Sequence, residues 1–341
     1  MTQKEIEQKV KSILSIIERD REREIISRRF GLFDRRETLE QIGEFLGITR
    51  ERVRQLEKSI LLRLQADAEK GEIPGLGEIE SEILAKLGGL GNVARVTKLT
   101  DELTGKGSNR IDQARIAFFA ALSSKLTVIS ENDDFYQSIA ISEVHDEKEV
   151  KKQVGKVIDA IKSLKEPYPI KKISEQVGDK DSKHVEALAS TSKHLATLNN
   201  VWGLIKWPTV NPKNIRDKIY VILKEHGKHM HFNEIADAIK KSDFKRKDVT
   251  TQAIHNELIK DGRFVLVGRG VYALKEWGYK KGTVSDIISE VLKEAGEPLH
   301  RDEIVKRVLK SRYVKETTIL LNLQGKKQFR RTAKATYALA E

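Results

Sequence analysis

The chain has 341 residues, room for two or three ordinary domains or a larger number of small ones. Lys and Arg outnumber Asp and Glu by 63 to 51, a formal charge of +12, so the mean field favours a polyanion and nucleic acid is the first partner to expect. Cysteine is absent, which excludes disulfides, thiolate metal sites and thiol nucleophiles.

The N-terminal stretch "MTQKEIEQKVKSILSIIERD" alternates charges with Ile, Val and Leu, which predicts an amphipathic helix and not a signal peptide. No apolar run approaches the roughly 18 residues of a membrane span, so no membrane partner is expected and the expected location is the cytoplasm, at the nucleoid. With 6 Pro, 39% apolar and 33% charged residues, the composition suits many small helical units with thin cores and much surface.

Thr38 and Gln41 have the spacing of a capping box, and a helix is predicted from Leu39 with Leu39, Ile42, Phe45 and Leu46 on its buried face. Gly43 within it would cost about 1 kcal/mol against Ala; close approach by a second helix is the reason expected for it. Gly47 suits a left-handed C-cap, and Thr49 then caps a second helix bearing Val53, Leu56, Ile60 and Leu64 on one face. Two short helices about a Gly-containing turn form a helix-turn-helix, whose second helix enters the major groove by its first turns. Those turns hold Arg50, Glu51, Arg52, Arg54 and Gln55. Arg offers a bidentate fork to guanine, Gln pairs with adenine and Glu accepts from cytosine N4, so the set can read bases as well as grip. The bland alternative is a solvated helix face.

"REREIISRRFGL" followed by "TLEQIGEFLGITRERVRQLE" resembles region four of the primary-type bacterial sigma factors, over about residues 6–66. The resemblance implies recognition of the −35 promoter element and docking on the flap of RNA polymerase. It places Arg50, Glu51 and Gln55 at base-reading positions, and Arg52, Arg54, Arg21, Thr38 and Leu39 at backbone-contacting positions. Only about twenty residues precede the module, so promoter melting is not expected of this chain.

"EKGEIPGLG", residues 69–77, concentrates Gly and Pro and predicts a linker. Beyond it lies an internal repeat. "IRDKIYVILKEHGKHMHFNEIADAI" from Ile215 aligns without a gap on "VSDIISEVLKEAGEPLHRDEIVKRV" from Val284, at an offset of 69. A weaker copy, shifted by 61, begins at Val154, and a looser one near Glu78. Each copy continues with a third helical stretch and two short strands, with a hairpin at Gly268-Arg269-Gly270 in the third. Helix, short strand, helix, helix and hairpin predict a winged helix. The predicted fold is therefore mainly α with small β wings, divided as 1–68 (helix-turn-helix), 78–143, 147–208, 212–279 and 283–341 (four tandem winged helices), strung as beads without a shared core.

"HFNEIADAI" and "DGRFVLVGRGVYALKEWG" resemble the HARE-type winged helices of polymerase delta subunits and of chromatin and restriction proteins, well over 212–279 and moderately over 283–341. Members include both DNA-associated and protein-docking modules. Residues 306–334 carry ten Lys or Arg and one acid, Glu316. This segment is read as the third helix and wing of the last repeat, and Lys315, Lys326, Lys327, Arg330 and Arg331 are its expected DNA contacts, against the plainer reading of a solvated basic face. In the third repeat Lys247, Gln252, His255, Asn256 and Arg269 are expected outward, open to DNA, to a protein or to solvent.

No catalytic constellation assembles. "HGKHMH" clusters His226, His229 and His231, but His231 aligns with His300 at a strand-to-helix junction, where a cap is the expected role and metal is not. "TGKGS" lacks the upstream Gly of a phosphate loop, and Trp202, Trp207 and Trp277 are expected to pack on cores. No enzyme, cofactor or small-molecule substrate is expected. The leading reading is a sequence-specific double-stranded DNA-binding protein of bacterial transcription with RNA polymerase as a further partner. The alternatives are a polymerase-associated adaptor whose winged helices bind protein, and a DNA-recognition component of a defence or restriction system.

Overall fold

Helix α1 (Gln3–Ile16) starts at a Thr2–Glu5 capping box, and its Ile6, Val10 and Ile13 recur at helical spacing and are fully buried. It leads through α2 (Asp20–Phe30) to α3 (Leu39–Leu46) and α4 (Arg50–Glu69). The computed structural model describes every residue except 106, 245, 247 and 341, and divides into two compact units, residues 1–206 and 207–341. Lys247, expected as a contact of the third repeat, and Lys106 of "TGKGS" lie outside the described residues.

Two winged helices complete the first unit. One consists of α5 (Leu76–Leu90), β1 (Val93–Arg95), α6 (Val96–Thr104), α7 (Arg110–Leu122), β2 (Leu126–Ile129) and β3 (Ser138–Ile141). The next repeats the order as α8 (Glu147–Leu164), β4 (Tyr168–Pro169), α9 (Ile170–Val177), α10 (Ser182–Thr191), β5 (Leu195–Leu198) and β6 (Val201–Leu204). The second unit holds α11 (Ile215–His226), β7 (Met230–His231), α12 (Phe232–Lys241), α13 (Thr251–Lys260), β8 (Phe264–Gly268) and β9 (Val271–Leu274). After them come α14 (Val284–Ala295), β10 (Leu299–His300), α15 (Arg301–Ser311), α16 (Glu316–Gly325), β11 (Phe329–Ala333) and β12 (Thr336–Leu339). In all four the short first strand pairs antiparallel with the last strand of the wing, so each sheet runs first, third, second. The fold is mainly α, with helix-turn-helix and tandem winged helices.

The second copy aligns structurally at an offset of 62 and not 61: Val157, Ala160 and Ile161 then fall on the buried Ile219, Ile222 and Leu223, and Lys165 falls on Gly227. Both Lys165 and Gly227 adopt the left-handed C-cap, at φ 62° and 73°. A Lys in that role hides the register from a sequence search for Gly.

The expectation of separate beads is wrong for the first unit. Residues 69–77 are no free linker, because Ile73 and Leu76 are each 4% exposed and join one apolar cluster. That cluster runs from Ile6, Val10 and Ile13 through Ile60 and Leu64 to Ile79, Phe118 and Phe119. The reason is the length of α4: its 20 residues span about 30 Å. Val53 near its start packs with Ile25 and Ile42 in the helix-turn-helix, while Ile60 and Leu64 enter the larger core. One apolar stripe thus serves two modules.

Polar groups mark the same seam. Arg115 on α7 is buried, donating from Nε to the Leu32 carbonyl (2.9 Å), from Nη2 to Glu7 (3.1 Å) and from Nη1 to Asp112 (3.4 Å). Between the two winged helices of the unit, the His145 and His184 rings stack with their Nε2 atoms 2.8 Å apart, and His184 Nδ1 meets Asp179 at 2.8 Å. Burial pushes the His145 pKa below its ordinary value.

Candidate nucleic-acid interface

The interface begins with a turn that only glycine can make. Gly43 is buried in α3, and a Cβ added to it would lie 2.6 Å from the Ile48 carbonyl oxygen, a main-chain atom that no rotamer change can move. Gly47 closes α3 in the left-handed region at φ 65°, and Thr49 accepts the Arg52 amide hydrogen to start α4. Gly43→Ala should lose about 1–3 kcal/mol by overpacking, more than the roughly 1 kcal/mol gained in helix propensity. Urea unfolding of the full chain checks this, and an unchanged or raised midpoint for the first transition would show that the turn has slack.

The turn presents the first two turns of α4 to solvent, and Arg50, Glu51, Arg52, Arg54 and Gln55 are all exposed. Four of them form a chain of bonds. Arg54 clamps Glu51 from Nη2 (2.7 Å) and Nε (2.8 Å), Gln55 donates to Glu51 at 3.3 Å, and Arg52 donates to Gln55 at 3.3 Å. Arg50 stands outside that chain at the first position of the helix. The Arg54 guanidinium holds the Glu51 carboxyl below its ordinary range, so Glu51 stays an ionised acceptor. Since the two bonds to Gln55 are long, its amide can be turned outward at little cost.

Around this crest, Thr38 and Gln41 make the expected capping box, which leaves the amino end of α3, with the half-buried Leu39, at the surface. Arg21 is exposed but donates to the Leu46 carbonyl at 2.9 Å, closing the carboxyl end of α3. Phe45 corrects the sequence reading: it is 58% exposed and carries the Arg28 guanidinium 3.7 Å above its ring, because Gly43 and Ile42 take the inward side of this short helix.

The four winged helices divide sharply at their third helix, the element such a fold lays in the groove. In α7, Ile116, Ala117, Phe118, Phe119, Ala120 and Leu122 are buried, and the helix packs against α1, α2 and α4. In α10, Val185, Leu188 and Ala189 are buried and the helix lies on β1 and α5, with Arg95 bonded to the Ser190 carbonyl. These two helices are sealed and cannot enter a duplex. By contrast α13 buries only Ile254 and Leu258, and α16 only Ile319 and Leu323.

On α13, Gln252 and Asn256 are exposed and bonded to each other at 3.1 Å, and Arg269 is exposed at the wing turn. His255 is not outward as expected, since its half-buried ring packs on Phe232 (5.0 Å between centroids) and Tyr272 (6.1 Å). His231 and His300 cap α12 and α15 through their side chains.

The basic segment of the last repeat also needs correction. It spans more than a third helix and wing, because Lys306, Arg307 and Lys310 sit on α15 and α16 itself contains no Lys or Arg. Arg312 is turned inward, donating to the Leu266 carbonyl at 3.0 Å, and burial pushes its pKa down. The remaining charge is concentrated on the wing: Lys326, Lys327, Arg330, Arg331 and Lys334 are exposed, with Lys315 exposed at the cap of α16. Arg331 spends one N–H on the Ala333 carbonyl at 3.1 Å. Sequence reading passed over Ile259, Thr317, Leu321 and Gln324, all exposed on α13 and α16; laying one third helix on the other would have found them.

Fold and surface together define a chain built from helix-turn-helix modules of the DNA-binding type. Residues 19–66 match the family Sigma-70, region 4, and residues 215–277 match the HARE-HTH family, the ASXL and restriction endonuclease HTH domain. Among the described residues, no helix is long and apolar enough to cross a membrane.

Proposed function

We propose that the chain is a sequence-specific double-stranded DNA-binding protein of bacterial transcription that acts at the nucleoid. Arg50, Glu51 and Gln55 read a short major-groove element, while Arg21, Arg52, Arg54 and the amino end of α3 at Thr38 and Leu39 hold phosphates. The working modules are 1–68, 78–143, 147–208, 212–279 and 283–341. The observation that carries this reading is the solvent-facing crest on α4, held at a set tilt by the buried Gly43 contact and by the core that α4 enters at Ile60 and Leu64. Lys315, Lys326, Lys327, Arg330 and Arg331 add sequence-independent grip. The proposal assigns no reaction and no cofactor.

Arg50→Ala should relax base preference at one position of the selected site, worth about 1–3 kcal/mol, without changing preference elsewhere. Selection of bound duplexes from a random pool at moderate salt measures this. An unaltered preference would remove Arg50 from the reading set.

One observation favours a second reading, an adaptor bound to RNA polymerase: α7 and α10 are already committed to packing between modules, which is how a protein-docking winged helix uses its third helix. Stable binding to polymerase by a chain with no measurable duplex affinity would select it.

A further inference from the structure

The open helices α13 and α16 superpose in sequence at a shift of 65 residues, which lays the buried Ile254 and Leu258 on the buried Ile319 and Leu323. The same shift lays Gln252, Asn256 and Ile259 on Thr317, Leu321 and Gln324. These residues stand at i, i+4 and i+7, a single stripe along each helix opposite its buried pair. All six are exposed, and the two aliphatic members are among the most open large apolar side chains described, Ile259 at 64% and Leu321 at 69%.

Both stripes are written in the same restricted chemistry. Each has at least one carboxamide, which pairs bidentately with adenine N6 and N7, and an aliphatic side chain that packs on the thymine 5-methyl group. A Thr methyl can make the same contact. Neither stripe contains Arg or Lys, so neither offers the fork that reads guanine, and the acid Glu316 lies at the first position of α16, outside the stripe. Cations flank the helices where phosphates would pass, with Lys260 at the end of α13, Lys315 and Lys326 at the two ends of α16 and Arg269 on the wing of the third repeat.

We infer that α13 and α16 are A·T-reading helices, Gln252, Asn256 and Gln324 addressing adenine and Ile259, Leu321 and Thr317 addressing thymine methyl groups. The inference rests on the reading of the chain as a duplex binder and adds a second kind of element to its target. The crest on α4 reads G·C as well as A·T pairs, whereas residues 207–341 are blind to guanine.

The test uses the full chain and fluorescence anisotropy at fixed salt with three duplexes of equal length: all A·T, all G·C, and the A·T duplex with uracil in place of every thymine. The A·T duplex should bind tightest, and uracil should weaken it about fourfold for each thymine methyl group that the helices cover. In the Ile259→Ala/Leu321→Ala variant, the A·T duplex should bind as weakly as the uracil duplex, with uracil making no further difference. Both side chains are exposed on helices, so an unchanged thermal melt is expected and confirms that the variant folds. Duplex binding of ordinary salt dependence with no A·T preference, or a uracil effect of full size in the variant, overturns this inference alone. No binding to any duplex overturns the functional reading and this one with it.

Discussion

Arg115→Met should cost residues 1–206 about 3–5 kcal/mol, because it removes one partner of a buried charged pair and strands the other. Asp112 is 1% exposed, and its Oδ2 already has no hydrogen-bond partner among the described residues, so without Arg115 the carboxylate is buried with little compensation. The same change releases the Leu32 carbonyl and leaves Glu7 to Lys11 alone. Urea unfolding of the full chain should show an earlier first transition, with the transition of residues 207–341 in place. Adding Asp112→Leu should recover most of the loss, since replacing a whole buried pair by apolar groups is often neutral. A single-variant loss below about 1 kcal/mol would show the pair solvated. The functional consequence follows from position: Arg115 ties α7 to α1 and to the segment before α3, so loosening it frees the helix-turn-helix from its brace.

Replacing Lys326, Lys327, Arg330 and Arg331 together with Ala should weaken binding to every duplex alike and leave base preference unchanged. Each phosphate no longer neutralised should flatten the log–log dependence of affinity on salt by about 0.9, so the slope should become shallower by about 3–4 if all four side chains reach phosphates. All four are exposed on β11 or the turn before it, outside the apolar core of the module. A slope equal to that of the parent would make the wing a solvated face, with the grip residing elsewhere.

These two regions differ in how far the sequence discloses them. The helix-turn-helix is a local object: Thr38, Gln41, Gly47 and Thr49 act on backbone groups within four residues of themselves, so caps, turn and crest follow from spacing alone. Gly43 is equally local, its constraint being a carbonyl five residues on. The wings are local too, with hairpins turning at the positive-φ pairs Asn199 and Asn200 and at Gly270. Phe45 and His255 were misplaced for a different reason. Each lies near the edge of its helix's apolar arc, and which neighbour covers an edge position depends on a partner distant in the chain.

By itself, the sequence determined the helices, caps, turns and repeated order of elements, because each is decided by hydrogen bonds and apolar periodicity over a span of a few residues. Only the tertiary structure decided which third helices are free. Alternating apolar residues on α7 and α10 look like ordinary helix cores, yet packing against α1, α4 and β1 seals both, while α13 and α16 keep a face in water. Burial depends on what arrives from elsewhere in the chain, and no local pattern records that arrival.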